Sequence, residues 1–219
     1  MTEDSSPRAT KWPSDDEIRG HFTQYAYALG SVVHAWNVLL ERMGDLFVIV
    51  TGGHRGAMLG VWNVPDSDRV KIEMLRAAIE LDNPERWKTF DDNAQNGLIF
   101  LCTEATSLID SRNNAVHSPS VLAIDENSIG MVAHPFSYNK RAKKLRDIDL
   151  LLEFDRIERW ADGLSYFSRQ MESAMHPNGQ YPWPNKPNRP SRRTKNDLLI
   201  LPLPSRKEPP LLPPESSQA

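Results

Sequence analysis

Arg112-Asn113-Asn114-Ala115-Val116-His117 puts a guanidinium, two carboxamides and an imidazole within six residues. These are side chains that hold an anion and move a proton. An imidazole titrates near neutrality and works as acid or base. A guanidinium stays charged and meets oxyanions through a planar fork of donors. Spacing decides what they can do together. On a helix Asn113 and His117 are four apart, so the amide can bond the imidazole and fix its tautomer. Asp110 stands two turns before His117 on the same side. Arg112 and His117, five apart, diverge by about 140° on an ideal helix. One copy therefore converges them poorly on a single anion, whereas two copies crossing about a two-fold axis could bring two such pairs into one cleft.

The helix that must carry this hexapeptide is written in its apolar spacing. Phe90, Ala94, Leu98, Leu101, Ala105 and Leu108 recur by fours and threes, which predicts a helix over 84–116. The next step of that seam is Arg112. Burying a guanidinium unpaired costs on the order of several kcal/mol, so it must be paired, reach a cleft, face another subunit, or snorkel to water near the helix end. Ser118-Pro119 stops the helix, because proline disfavours the helical conformation of the residue before it.

Three more helices are expected around it. Ser14-Asp15-Asp16-Glu17 is a capping box. After it Ile18, Phe22, Tyr25, Leu29, Val32, Trp36, Leu39, Met43, Leu46 and Val50 form one unbroken seam, ended by Gly52-Gly53. A linker over 51–65 leads to a shorter helix over 66–81 with apolar positions Val70, Met74 and Ala77/Ala78. Residues 121–125 and 128–133 flank Glu126-Asn127 and read as a hairpin. Asp147 can cap a last helix with the stripe Leu150, Phe154, Ile157, Ala161, Leu164, Met171 and Met175, before Pro177. The fold class is all-α: a four-helix bundle over 14–175 with a small β-hairpin insertion before the last helix. Residues 1–13 are expected to be disordered, as is a Pro-rich basic tail over 176–219.

An Arg-polar-x(3 to 5)-His segment with Asn in second place resembles the signature of HEPN domains (higher eukaryotes and prokaryotes nucleotide-binding). Arg112-Asn113-Asn114-Ala115-Val116-His117 matches the four-spacer form. The likeness implies a helical bundle, a homodimer with a composite active site, and metal-independent endoribonuclease activity in toxin–antitoxin or antiviral defence systems. It carries over three catalytic residues: Arg112, Asn113 and His117. RNA cleavage without metal needs a base for the ribose 2′-OH and an acid for the leaving 5′ oxygen, which assigns His117 to proton transfer. Arg112 would stabilise charge on the phosphorus, and Asn113 would orient His117 or the substrate. The expected ends are a 2′,3′-cyclic phosphate and a 5′-hydroxyl. No metal or other cofactor is called for. The hairpin and the tail lie outside the family's minimal pattern.

Other features bound the reading. Lys140, Arg141, Lys143, Lys144 and Arg146 put five cations in seven residues, a run that is usually solvated but here could track an RNA backbone. Of 17 prolines, eleven lie over 177–214. From His176 onward seven Lys/Arg face three acids, so the tail is +4 and the body −7 within a net charge of −3. Such a tail can hold a polyanion or dock on its own domain. Its apolar runs, 198–204 and 209–214, resemble segments that seat in a partner's groove. Thr51-Gly52-Gly53-His54-Arg55-Gly56 reads as a helix C-cap and turn, since it lacks the Gly-Lys-Ser/Thr ending of a phosphate loop. His34, Asn37 and Glu41 read as a solvated face of the first helix. With Cys102 alone, no intrachain disulfide can form. The polar N-terminus and the shortness of the apolar runs lead to an expected cytoplasmic protein without a membrane span. The alternative class is a non-catalytic helical module that dimerises and presents its Pro-rich tail to a protein partner.

Overall fold

The computed structural model describes residues 13–81, 93–124, 129–134, 138–145, 148–176 and 181–191. Among these lie six helices and one two-stranded hairpin, so the all-α reading with a hairpin before the last helix holds.

Helix α1 (Asp15–Thr51) begins at the expected capping box. The Ser14 hydroxyl accepts from Glu17 N–H at 3.3 Å, and the Glu17 carboxylate accepts from Ser14 N–H at 2.7 Å. Each bond satisfies an orphan donor of the first turn. At 1.5 Å per residue the helix runs about 55 Å. It stops at Gly52, whose φ of 66° is left-handed and suits a residue without Cβ. The seam from Tyr25 through Val32, Trp36, Leu39, Met43, Leu46 and Val50 is buried. Its first two members are not: Ile18 is 36% and Phe22 60% exposed, so the start of α1 leaves its apolar face uncovered.

The expected 51–65 linker is corrected by a helix, α2 (Arg55–Asn63). It buries one residue, Trp62, and so carries no stripe that periodicity could detect. Trp62 lies against Phe47 with ring centroids 5.5 Å apart. Gly44 makes room for it, since a Cβ there would fall 2.9 Å from the indole nitrogen.

Helix α3 (Asp68–Glu80) is present, but its buried stripe is Ile72, Leu75 and Ile79. The expected Val70 is 42% exposed. Both stripes satisfy three-four spacing, and the bulkier set takes the core because it removes more apolar surface from water. Trp36 fastens α3 to α1 by donating its indole N–H to Asp68 at 2.8 Å.

Helix α4 (Ala94–Val116) buries Leu98, Leu101, Ala105 and Leu108 as expected, with Cys102 and Ile109 beside them. Phe90 and the start expected for this helix lie outside the described residues. Strands β1 (Ser120–Ile124) and β2 (Ile129–Ala133) pair antiparallel with Val121 opposite Val132, and the turn between them is outside the described residues. A short helix, α5 (Lys140–Lys144), occupies the basic run. Helix α6 (Leu150–Met175) buries Leu150, Phe154, Ile157, Ala161, Leu164, Met171 and Met175, the full expected stripe. Its cap is Asp149 rather than Asp147, which lies outside the described residues. The Asp149 carboxylate accepts from the N–H groups of Leu151 and Leu152 at 2.9 and 3.2 Å.

Side-chain partners fix the helix directions. Tyr25 meets Phe154, and Ser31 and His34 lie beside Glu158 and Asp162, so α1 and α6 run the same way. Arg69 with Asp110 and Arg76 with Thr103 set α3 against α4 in opposite directions.

Of the tail, residues 181–191 are described, with neither helix nor strand, and they dock on the body, one of the two roles its charge allowed. Trp183 covers Gly97, where a Cβ would come within 2.8 Å of the indole. The Lys186 ammonium stands 5.3 Å from the Phe100 ring centroid. Arg189 grips Glu104 through two bonds of 2.6 and 3.0 Å, and Arg159 donates to the Ser191 carbonyl at 2.8 Å. The side-chain contacts of Trp183, Lys186 and Arg189 fall on every third residue, the period of a polyproline helix. Residues 1–12 and 192–219 lie outside the described residues.

Candidate functional site

The hexapeptide closes α4, and the helix geometry splits it. Arg112 is half-buried, as its seam position requires, while His117 is the exposed C-cap residue with φ −105° and ψ 10°. Its backbone N–H closes the last turn onto the Asn113 carbonyl at 3.2 Å. The imidazole bonds no other described residue and is open to solvent.

Arg112 is held from one side only. Its Nη1 donates to the Asn113 side-chain oxygen at 3.0 Å. Its Nε is buried and has no hydrogen-bond partner. No ion pair joins it to a described carboxylate. A buried N–H without an acceptor forfeits roughly 1–3 kcal/mol of hydration. Among the described residues this guanidinium is thus neither neutralised nor fully satisfied.

Two expected relations change. The Asn113 amide turns to Arg112 rather than to the His117 ring, because a cation one residue away outcompetes a solvent-exposed imidazole for a carbonyl oxygen. Asp110, placed on the His117 side by spacing, is taken by Arg69 of α3 at 2.9 Å. Sequence carried no sign of that pairing, which joins residues 41 apart.

The cationic run stands at the same end of the bundle. His134 N–H bonds the Pro119 carbonyl at 2.7 Å and Val132 bridges Asp149, so the chain between them starts and returns beside the end of α4 and the start of α6. Lys140, Arg141, Lys143 and Lys144 are all exposed there, and Ala142 and Leu145 anchor α5 inward. Asn139 caps α5 by accepting from Arg141 N–H at 2.8 Å. Tyr138, 95% exposed, is next to the run, and Arg146 lies outside the described residues.

The remaining candidates stand elsewhere in the fold. Gly52 makes the expected helix C-cap, and Arg55 pairs with Asp45 at 2.6 Å. His34, Asn37 and Glu41 are exposed. Opposite them on α6, burial first and then the charges of Asp162 and Asp155 push the Glu158 carboxyl above its usual range, with the Ser31 hydrogen bond pulling back. Burial raises Asp162 as well, and His34 counters it. The Cys102 thiol is pushed up to about 12 by burial and offers no thiolate at neutral pH. Among the described residues no three His, Cys, Asp or Glu side chains come together as a metal site would need, and no helix is long and apolar enough to cross a membrane.

What spacing missed is the clamp of the tail on α4, through Glu104 and Gly97. A buried Glu on an apolar helix face was the available signal, but its partner lies 85 residues away. Comparison with protein-family models, curated proteins and solved structures finds no match for this chain.

Proposed function

We propose that this chain is an HEPN-like, metal-independent endoribonuclease that works as a homodimer with a composite active site. The observation that carries the reading is Arg112. A half-buried guanidinium with one orphan N–H and no carboxylate among the described residues is arranged to receive an anion, and an exposed imidazole stands one turn further on. Because Nε is buried, a phosphodiester would meet the guanidinium at its terminal nitrogens.

In the reaction, His117 of one copy withdraws the 2′-OH proton and the 2′ oxygen attacks phosphorus. The 5′ oxygen leaves with a proton from the second copy's imidazole or from water. Arg112 neutralises charge on the equatorial oxygens. Asn113 holds the guanidinium plane. The products are a 2′,3′-cyclic phosphate and a 5′-hydroxyl, so DNA is left intact. Lys140, Arg141, Lys143 and Lys144 track the RNA backbone, and binding weakens with salt. Toxin–antitoxin or antiviral defence is the cellular setting that the likeness suggests.

The test is cleavage of RNA in EDTA by the native chain, Arg112→Ala and His117→Ala. The native chain should cut, and each variant should lose about 100-fold or more. Equal cleavage by all three sinks the reading. A second reading, a non-catalytic module that dimerises and presents its tail to a protein partner, is favoured by the uncovered Ile18 and Phe22. It leaves RNA whole in every sample.

A further inference from the structure

Residues 183–190 repeat every three positions. Proline stands at 184, 187 and 190, and a large side chain precedes each one: Trp183, Lys186 and Arg189. A proline ring fixes its own φ, and the residue before a proline is held to extended backbone. Six of the eight residues 183–190 are therefore restricted to polyproline backbone before they meet any partner.

The body meets this repeat row by row. A polyproline helix turns once in three residues, so it presents three rows of side chains. Trp183, Lys186 and Arg189 form the row that touches Gly97, Phe100 and Glu104. Pro184, Pro187 and Pro190 form a second row, and all three are half-buried. Asn185, Asn188 and Ser191 form the third, and all three are exposed. Two rows thus face the body and one faces water, as in a polyproline ligand seated in a groove.

The seat is built for such a ligand. Gly97, Phe100 and Glu104 are spaced by three and four, so they line one stripe of α4. Gly97 leaves the notch that the indole fills. The Glu104 side chain is only 11% exposed, whereas that of Arg189, its cation, is 57% exposed. The carboxylate belongs to the floor, and a carboxylate so nearly buried requires a partner. On α6, Asp155 accepts from Arg159 Nε at 2.9 Å and orients it to donate to the Ser191 carbonyl at 2.8 Å. A polyproline backbone has no internal hydrogen bonds, so its carbonyls are free to be met in this way. None of these contacts requires the peptide to be joined to the body.

We infer that this face of α4 and α6 is a recognition site for a basic, proline-rich peptide with proline at every third position. The chain's own residues 183–191 fill it as a tethered ligand, which a separate peptide of the same pattern displaces. The second reading above makes the tail a ligand for another protein, whereas here the receptor is this chain. The site uses neither Arg112 nor His117 and stands whether or not the protein cleaves RNA.

A labelled peptide with the sequence of residues 181–191 tests it by fluorescence anisotropy. The host is the full chain carrying Trp183→Ala and Arg189→Ala, which frees the seat and leaves α4 and α6 unaltered. The peptide should bind this host saturably, one to one. It should bind the native chain about tenfold or more weakly, because the tethered tail competes at an effective concentration on the order of millimolar. Glu104→Gln in the host should weaken binding by about tenfold, since the paired bonds to Arg189 are charge-assisted. A peptide of the same composition, with its prolines moved out of the three-residue repeat, should lose about as much. The full chain carrying Arg189→Glu alone, which sets two carboxylates together, is a second host and should behave alike. No binding to either host overturns the inference. So does loss of the native fold in both, which would make the tail part of the core and not a ligand. Equal binding of the reordered peptide, or no effect of Glu104→Gln, also overturns it, leaving only the attraction of a basic peptide to an acidic body. A native dimer that the host substitutions turn to monomer would give the seat to the tail of a second copy and overturn it as well.

Discussion

Arg112→Met separates a functional arginine from a structural one. Arg and Met have nearly equal helix propensity, so α4 is not changed on that account. The substitution removes a buried Nε–H without an acceptor, worth roughly 1–3 kcal/mol of unmet hydration. It also forfeits the bond to Asn113, part-buried and worth about 1 kcal/mol, after which the amide can turn to water. A flexible thioether continues the apolar seam below Leu108. The balance is a stabilisation of about 1 kcal/mol, or roughly 2–4 °C in midpoint for a chain of this size. Urea and thermal unfolding followed by far-ultraviolet circular dichroism measure it, and RNA cleavage should be lost in the same sample. Asn113→Ala is the control with opposite sign, because it strips the guanidinium of its acceptor and should destabilise. If Arg112→Met instead destabilises by more than about 1 kcal/mol, the guanidinium serves the fold, and the motive for placing an anion on it disappears.

Further outcomes follow from the same contacts. Gly97→Ala puts a methyl into the Trp183 indole, so it should weaken the tail clamp in the native chain yet stabilise α4 by about 1 kcal/mol in a Trp183→Ala background; equal effects in both would refute the seating of Trp183. Ser14→Ala costs about 1 kcal/mol of capping locally, which should appear as faster exchange in the first turn of α1 with little change in the global midpoint. Glu158 and Asp162 have folded values raised above their ordinary 4.5 and 3.8, so the folded state binds more protons than the unfolded one. Their contribution is greatest below those values and falls as pH rises through them to the folded values. Glu158→Gln, which keeps an acceptor for Ser31, should flatten that fall and be at least as stable as the native chain at pH 7. A steeper fall would refute the assignment.

The bundle was legible because its causes are local. Ten apolar residues at three-four spacing specify α1, and the Ser14–Glu17 box marks its start from four adjacent residues. The stripe of α6 is likewise specified by its own spacing. Where one segment permits two answers, spacing failed: α3 offers two stripes of equal period, and packing chose Ile72, Leu75 and Ile79. Helix α2 escaped notice because a helix that buries only Trp62 has no period to read. At the candidate site, spacing correctly put Arg112 on the seam and His117 on another face. It could not say that Asn113 would face Arg112, since both orientations are open to an amide on that helix.

By itself, then, the sequence determined helices α1, α3, α4 and α6, the hairpin, and the conflict of a guanidinium in an apolar seam. Each of these follows from residues within a few turns of one another, where backbone hydrogen bonds and side-chain period act. The tertiary structure alone decided the partners: Asp110 with Arg69, Glu104 with Arg189, Trp183 on Gly97, and Arg112 left with one orphan N–H. Those outcomes depend on which distant groups arrive at the same place, and on which polar atoms the packing then shuts away from water.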